Sequence, residues 1–565
     1  DGSTSTEPFP RHTYAAPGTY FVNLTIDRGN GTPRFASREK AITVFAATLS
    51  GTESATLVAH DRAAFDFFGE SVAISGNRAV IGVPADNAVQ NFFDSVNGFD
   101  VGSAYVFERA ADGTWMFQTK LRPDFGGSPE DAFGTSVAIH GNFIAVGAPG
   151  TDGSAGTNQG SVEVYENQLI GGTPFWSRVS ILHAPDAQAE DHFGYSVALA
   201  MPYVLVGSPD EDNANGINAG GAHMFKQHEY SPGFFTYPHH RAFVAPDGAD
   251  LDFFGASVAL EGASYGEVAV LIGAPGDDHD VLVDAGSAYQ FSALIPQPLE
   301  CTDICPGGAP NPPSRPWGFD HKFIATDNAL GDEFGASVAR SLGRVLIGAP
   351  YHDALAGENV GHAYFYHSTP DGNEETADGD WQESIFAPSD GAALDNFGFA
   401  VALRGDDALV GSWLDDVDAD GQTLVDAGTV HHLVRDPTTN SWSFANAFGP
   451  TDRRGDEDFG GAIALDTYAI IGAQEFNTAA GHDAGAAFIF TLADYAQNAI
   501  LTGTDDTAGD LYGWSVALEG NWALSGARGD DDEAMDAGAA YLHRRDPLSG
   551  IWFPHQKLVS PDPSS

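Results

Sequence analysis

The chain has 565 residues, of which 78 are Asp or Glu and only 25 are Lys or Arg, a formal net charge of −53. So few cations against so many carboxylates exclude a nucleic-acid binder and disfavour an anionic membrane surface. A hydrophobic fraction of 42% excludes a disordered acidic tail, while 67 Gly and 32 Pro argue for a turn-rich all-β chain. No apolar run is long enough to span a bilayer and no signal segment opens the numbered chain, so direct membrane insertion is not expected.

In chain order, the first predicted element is a strand with Tyr20, Val22, Leu24 and Ile26 on one face. Together with Asp1-Gly2, Pro10, His12, Tyr14 and Gly18, residues 1–45 resemble the C-terminal half of a PKD domain, an Ig-like β-sandwich of extracellular proteins. The resemblance implies a partial sandwich whose N-terminal strands are missing, hence a fragment of a longer chain or strands that pair elsewhere. Residues 46–60 read as a linker ending in a strand, ATLVAHD, that helps to close the structure that follows.

From residue 61 the chain repeats itself. Segments such as AFGTSVAIHGNFIAVGAP recur eight times, around Gly69, Gly134, Gly194, Gly255, Gly335, Gly398, Gly460 and Gly513. The units are 61–123, 124–185, 186–246, 247–326, 327–389, 390–451, 452–504 and 505–562. Each reads as four strands: A (FGxSVAL), B (ending GAP), C (GSAYVF-like) and D (KLRPD-like). A period of roughly 60 residues with four short strands suits a propeller blade rather than a solenoid rung. The FG and GAP tripeptides resemble the FG-GAP repeat of integrin α-subunit propellers and of bacterial surface proteins. That resemblance implies an all-β, FG-GAP-type β-propeller of eight four-stranded blades, against seven in integrins.

Acidic residues recur at three positions of the loops on one predicted face. Three residues after each GAP-like tripeptide stand Asn87, Asp152, Asp212, Asp278, Asp353, Asp416, Asn477 and Asp531. Two before the strand C glycine stand Asp100, Asn158, Asn218, Asp284, Asn359, Asp426, Asp483 and Asp536, and the D–A loops open at Asp61, Asp124, Asp186, Asp247, Asp327, Asp390, Asp452 and Asp505. Asp and Asn at such positions either accept hydrogen bonds from turn amides or ligate a hard cation such as Ca²⁺. The strongest calcium candidate is the blade 6 loop, with Asp416, Asp418 and Asp420 ahead of Gly421 and Asp426 beyond, followed by Asp531 with Asp536 and by Asp278 with Asp284. The calcium motif of integrin-like propellers lies between strands A and B, where this chain has short turns without the acidic series, so those sites are not carried over.

No catalytic set is legible. The FGxS serines lack the second glycine of a nucleophile elbow, and Ala400 and Ala462 replace two of them. His239-His240 and His431-His432 point to opposite faces of their strands. Arg528-Gly529-Asp530 occupies a blade's GAP-like position and reads as coincidence, and Cys301 and Cys305 have the spacing of a small disulfide loop. The expectation is a non-catalytic extracellular or cell-surface module for adhesion, assembly or binding of a protein or carbohydrate ligand, with calcium as its candidate cofactor. The alternatives are a polysaccharide lyase or hydrolase on a propeller scaffold, and a surface-layer or filament subunit assembling through the N-terminal segment.

Overall fold

Every repeat becomes one antiparallel sheet, because an apolar strand B lies between short turns, glycine-bearing in most blades, and its neighbours alternate in polarity. The computed structural model describes residues 65–559 except 87–99, 111–112, 124–127, 171–172, 232–233, 263–265, 280, 296–314, 355–356, 370–379, 389–390, 420–421, 452 and 532–534, together with the strands Gly18–Asn23 and Glu39–Val44. In blade 4 the strands are Ser257–Gly262, Gly266–Ala274, Ser287–Ile295 and Arg315–Phe323, paired in the order A-B-C-D. All eight sheets keep that order, and no helix occurs among the described residues. Blades 3 and 6 each add a two-stranded hairpin, His228–Ser231 with Phe234–Thr236 and Val417–Ala419 with Gln422–Leu424.

The A strands of successive blades touch one another, those of blades 8 and 1 included, so the sheets form a closed ring with strand A at its centre. The hydrophobic core lies between blades rather than within them. Val80, Ala104 and Val106 of blade 1 pack against Ile144 and Val146 of blade 2, and on its other side blade 1 meets Leu524 and Leu542 of blade 8.

The FG and GAP signatures meet at each boundary. Between blades 4 and 5, the Gly335 carbonyl lies directly over the Cα of Gly273, where an added Cβ would stand 2.0 Å from the Gly335 oxygen. Gly335 itself has φ of 100°, a conformation that L side chains rarely adopt. The same carbonyl accepts the Ser257 hydroxyl at 2.7 Å, so the FGxS serine is an interblade staple. Ser71, Ser136, Ser196, Ser337 and Ser515 repeat that bond with the next FG glycine. Phe334 is buried beside the Tyr364 ring, with 5.0 Å between centroids, and its backbone bridges Gly286 of the preceding blade.

The ring closes by the same contacts. Ser515 donates to the Gly69 carbonyl at 2.7 Å, Phe68 bridges Gly538, and Trp522 packs edge-on to Trp115. Blades 1 and 8 each have four strands of their own, while the closing strand expected at 46–60 lies outside the described residues. The chain divides into two compact units, Asp1–Ser54 and Ala55–Ser565. In the first, Gly18–Asn23 pairs antiparallel with Glu39–Val44, Tyr20 opposite Ile42 and Val22 opposite Lys40.

Removing the staple and filling the glycine gap have different expected costs. Ser257→Ala loses one hydrogen bond, about 1 kcal/mol, whereas Gly273→Ala forces two backbones apart and costs about 3 kcal/mol. Equilibrium denaturation of the two variants checks the order.

Candidate functional site

The B–C and D–A loops leave the ring on one face, and two of the three acidic series there build the loops themselves. Asp278 Oδ1 accepts the amide of Asp284 at 2.9 Å, and Asp284 has φ of 53°. Asp152, Asp212, Asp353 and Asn477 do the same for Asn158, Asn218, Asn359 and Asp483. A carboxylate or amide oxygen that captures this amide holds the following residue in the left-handed region. Of the calcium candidates, Asp416 is joined to Asp426 in this way at 3.0 Å. Asp418 lies on the backbone of the blade 6 hairpin, and Asp420 and Gly421 lie outside the described residues. Asp531 accepts instead from the Thr507 hydroxyl at 2.9 Å, and Asp536 keeps the left-handed backbone, φ 51°. Asp61, Asn87, Asp124, Asp390, Asp452, Cys301 and Cys305 lie outside the described residues.

The described members of the third series, Asp186, Asp247, Asp327 and Asp505, each line a socket in their blade that the linear sequence conceals. In blade 4, the Tyr289 hydroxyl donates to Asp247 at 3.0 Å and to Asp277 at 2.9 Å, and Lys322 Nζ lies 2.7 and 2.6 Å from the same two carboxylates. Blade 8 repeats the set: Tyr541 on Asp505 and Asp530, with Lys557 Nζ at 3.0 and 2.7 Å. In blade 1, Lys120 Nζ is 2.5 Å from Asp86. The register explains the recurrence, since Lys120, Lys322 and Lys557 on strand D stand opposite Tyr105, Tyr289 and Tyr541 on strand C. Burial and the two carboxylates push the Tyr289 phenol well above its usual range, so it remains a donor.

Where strand D has no lysine, the socket changes its contents. Blade 2 places Glu163 at the tyrosine position and balances it with Arg178 at 3.2 Å, and blade 7 fills the same position with Phe488 opposite Ile500. In blade 3, Ala242 faces His223, whose Nε2 lies 2.7 Å from Glu211, and Asp186 completes a cluster of possible metal donors. In blade 5, Ile385 faces Tyr364, and Asp327, His352 and His362 form the second such cluster. Burial lowers the His352 pKa, but the Asp332 and Asp327 carboxylates more than reverse that and leave it raised.

A further set of acids, three residues ahead of the FG glycine, escaped the sequence reading. Asp131, Asp191, Asp252, Asp332, Asp395 and Asp510 are buried. One oxygen of each accepts the amide three residues earlier, as Asp252 does from Ala249 at 2.6 Å. The other oxygen of Asp131, Asp191, Asp252 and Asp395 has no hydrogen-bond partner among the described residues. Burial of the charged form raises these carboxyls to about 6 in Asp131, Asp191 and Asp510, and to about 7 in Asp252 and Asp395. Their regular spacing before each FG was the signal available in the sequence.

The remaining motifs are structural. Arg528 stacks on Trp514 and pairs with Glu70 at 3.1 Å, while Asp530 is buried in the blade 8 socket, so the Arg-Gly-Asp triplet is not displayed. His239 approaches His223 at 3.4 Å, while its neighbour His240 accepts the Trp317 indole N–H at 3.0 Å. His431 packs against Phe397 and Phe444, and His432 reaches Asp407 at 2.9 Å. Among the described residues no helix is long and apolar enough to cross a membrane.

Compared with known proteins, the chain matches the FG-GAP repeat model over residues 52–107, 115–165, 176–225, 240–291, 317–366, 381–431 and 495–543, and the PKD domain model over 1–44. The unmatched interval 432–494 holds strands A, B and C of blade 7. None of the curated proteins matches significantly. Among solved structures, a Lactobacillus plantarum protein is 14% identical with a TM-score of 0.40, covering 74% of this chain and 96% of that one. Saccharomyces cerevisiae Sqt1 is 9% identical with a TM-score of 0.35, covering 90% and 88%. Both are too distant to carry a functional argument.

Two outcomes follow for the buried charges. Lys557→Met leaves the buried Asp530 without its cation and lowers stability by about 3 kcal/mol, measurable by denaturation at pH 8. The raised carboxyls make the folded chain hold more protons than the unfolded one between about pH 4 and 7, so stability falls as pH rises through that window. The melting temperature is therefore higher at pH 5.5 than at pH 8, and the double variant Asp252→Asn, Asp395→Asn shows a smaller difference.

Proposed function

The chain belongs to the FG-GAP repeat family, and from that premise we propose that it is a non-catalytic extracellular binding module whose B–C and D–A face receives a protein ligand. The observation that carries this reading is a set of exposed apolar side chains fixed at blade junctions within that acidic face. Ile217 (61% exposed) and Leu251 (50%) adjoin where blade 3 meets blade 4, joined by the Leu251 amide on the Ile217 carbonyl. Val283 and Leu330 stand where blade 4 meets blade 5, and Phe65 and Met535 where blade 8 meets blade 1. Each pair is held by backbone hydrogen bonds, and in blades 3 and 4 also by aspartate-braced turns, so little ordering entropy is lost on contact. Apolar spots framed by carboxylates suit a partner with apolar anchors and a basic rim, and the surplus of negative charge steers such a partner inward.

Calcium enters this reading through the turn carboxylates, Asp416 with Asp426 first among them, and the PKD-like segment supports a place at the cell surface. The test is a binding screen of the immobilised chain against purified surface and matrix proteins and against acidic and neutral polysaccharides, in Ca²⁺ or chelator, with product analysis. The expected result is saturable binding of a protein, weakened at least ~10-fold by Ile217→Asp with Leu251→Asp, and no turnover. Cleavage of a polysaccharide that is lost on mutating socket or channel carboxylates would replace this reading with the enzymatic one.

A further inference from the structure

We propose that blade 5 carries a zinc site in which Asp327, His352 and His362 hold a Zn²⁺ ion at the place where blades 1, 4 and 8 hold a lysine ammonium. The molecule supplies its own comparison. At equivalent positions of blades 4 and 8, the D–A aspartate, the B–C loop residue and the strand C tyrosine converge on Lys322 and Lys557. Blade 5 keeps the D–A aspartate as Asp327 and the tyrosine as Tyr364, which donates to Asp327 at 2.9 Å. The lysine is replaced by Ile385, the B–C loop carboxylate by His352, and the first residue of strand C is His362. The cationic side chain has gone and two imidazoles have arrived in its socket.

The spacing of the donor atoms is close to that around a tetrahedral ion. One donor atom from each of the three side chains lies within 4.8 Å of the others. His362 Nδ1 is 3.2 Å and His352 Nε2 3.8 Å from Asp327 Oδ2, against the ~3.3 Å between neighbouring ligands of a tetrahedral zinc with bonds near 2.0 Å. His352 and His362 are buried and their ring centroids lie 3.8 Å apart, closer than the ~5 Å of two imidazoles on one tetrahedral ion, so the rings part as they take up the metal. The other nitrogen of His352 is already oriented: Nδ1 lies 2.7 Å from the buried Asp332 carboxylate, the carboxylate–histidine arrangement that fixes a ligating ring and raises its basicity. Two imidazoles and one carboxylate favour zinc over Ca²⁺ or Mg²⁺, which prefer oxygen donors. Asp327 keeps about a third of its side chain exposed, which leaves an approach for the ion and a fourth position for water. Blade 3 offers a weaker version, with a single imidazole, His223, alongside Asp186 and Glu211.

The full chain, stripped with chelator and dialysed, is titrated calorimetrically with ZnCl₂ in excess Ca²⁺, and Co²⁺ is added separately to read tetrahedral coordination from its visible bands. One saturable zinc site per chain is expected. His352→Gln and His362→Gln abolish it, Asp332→Asn weakens it ~10–100-fold, and His223→Gln leaves it unchanged. Ile385→Lys, which restores the lysine of the other blades, abolishes zinc binding while the chain melts cooperatively without metal, so loss of the site is separated from loss of the fold. Zinc binding that survives both histidine variants or Ile385→Lys, that disappears with His223→Gln, or that is absent from the unmodified chain would overturn the proposal, as would displacement of zinc by Ca²⁺.

Discussion

The ring depends on two glycine backbones meeting at every blade boundary. The carbonyl of the FG glycine rests on the Cα of the preceding blade's GAP glycine, as Gly335 does on Gly273 and Gly69 on Gly526, at distances where any side chain would collide. That contact fixes the separation of adjacent sheets, and the apolar faces of the B and C strands then fill the space between them. Because the boundary from blade 8 to blade 1 has the same contact, the ring closes on side-chain packing and loop hydrogen bonds among the described residues. Serine adds a donor to the same carbonyl in six blades, and its replacement by Ala400 and Ala462 in the other two shows that the glycine pair, not the hydroxyl, is the constant element.

Around that frame the chain must place many carboxylates near a ring that buries its loops against one another. It does so in different ways from blade to blade. Lysine neutralises the socket in blades 1, 4 and 8, arginine balances Glu163 in blade 2, and phenylalanine makes the equivalent position apolar in blade 7. The aspartates before each FG take a third course: an amide satisfies one oxygen, and burial favours a proton on the carboxyl. Blades 3 and 5, where imidazoles join the carboxylates and no lysine stands opposite on strand D, differ chemically from blades 4 and 8 while keeping the same A-B-C-D strand order.

The repeat was legible because its determinants are local and recur: FG, the SVAL alternation and GAP lie within about twenty residues of one another in a unit of roughly 60. Blade 7 shows how far this goes. It carries Ala462 for serine and Gln474 for proline and escapes the family model, yet Phe459, Gly460 and Gly472 are enough to make it a full blade. The turn role of the aspartates was legible too, since Asp278 and Asp284 are six residues apart and joined through one amide. The sockets were not. Asp247, Asp277, Tyr289 and Lys322 come from two loops and two strands, up to 75 residues apart, and converge only through strand register.

By itself, then, the amino-acid sequence determined an eight-bladed all-β ring with an acidic loop face, because glycine placement and strand alternation act over a few residues and repeat. Tertiary structure alone decided what the acidic residues do. Whether a carboxylate braces a turn, meets a lysine, takes up a proton or faces an imidazole depends on burial and on which side chain the neighbouring strand brings opposite, and neither is written in spacing along the chain.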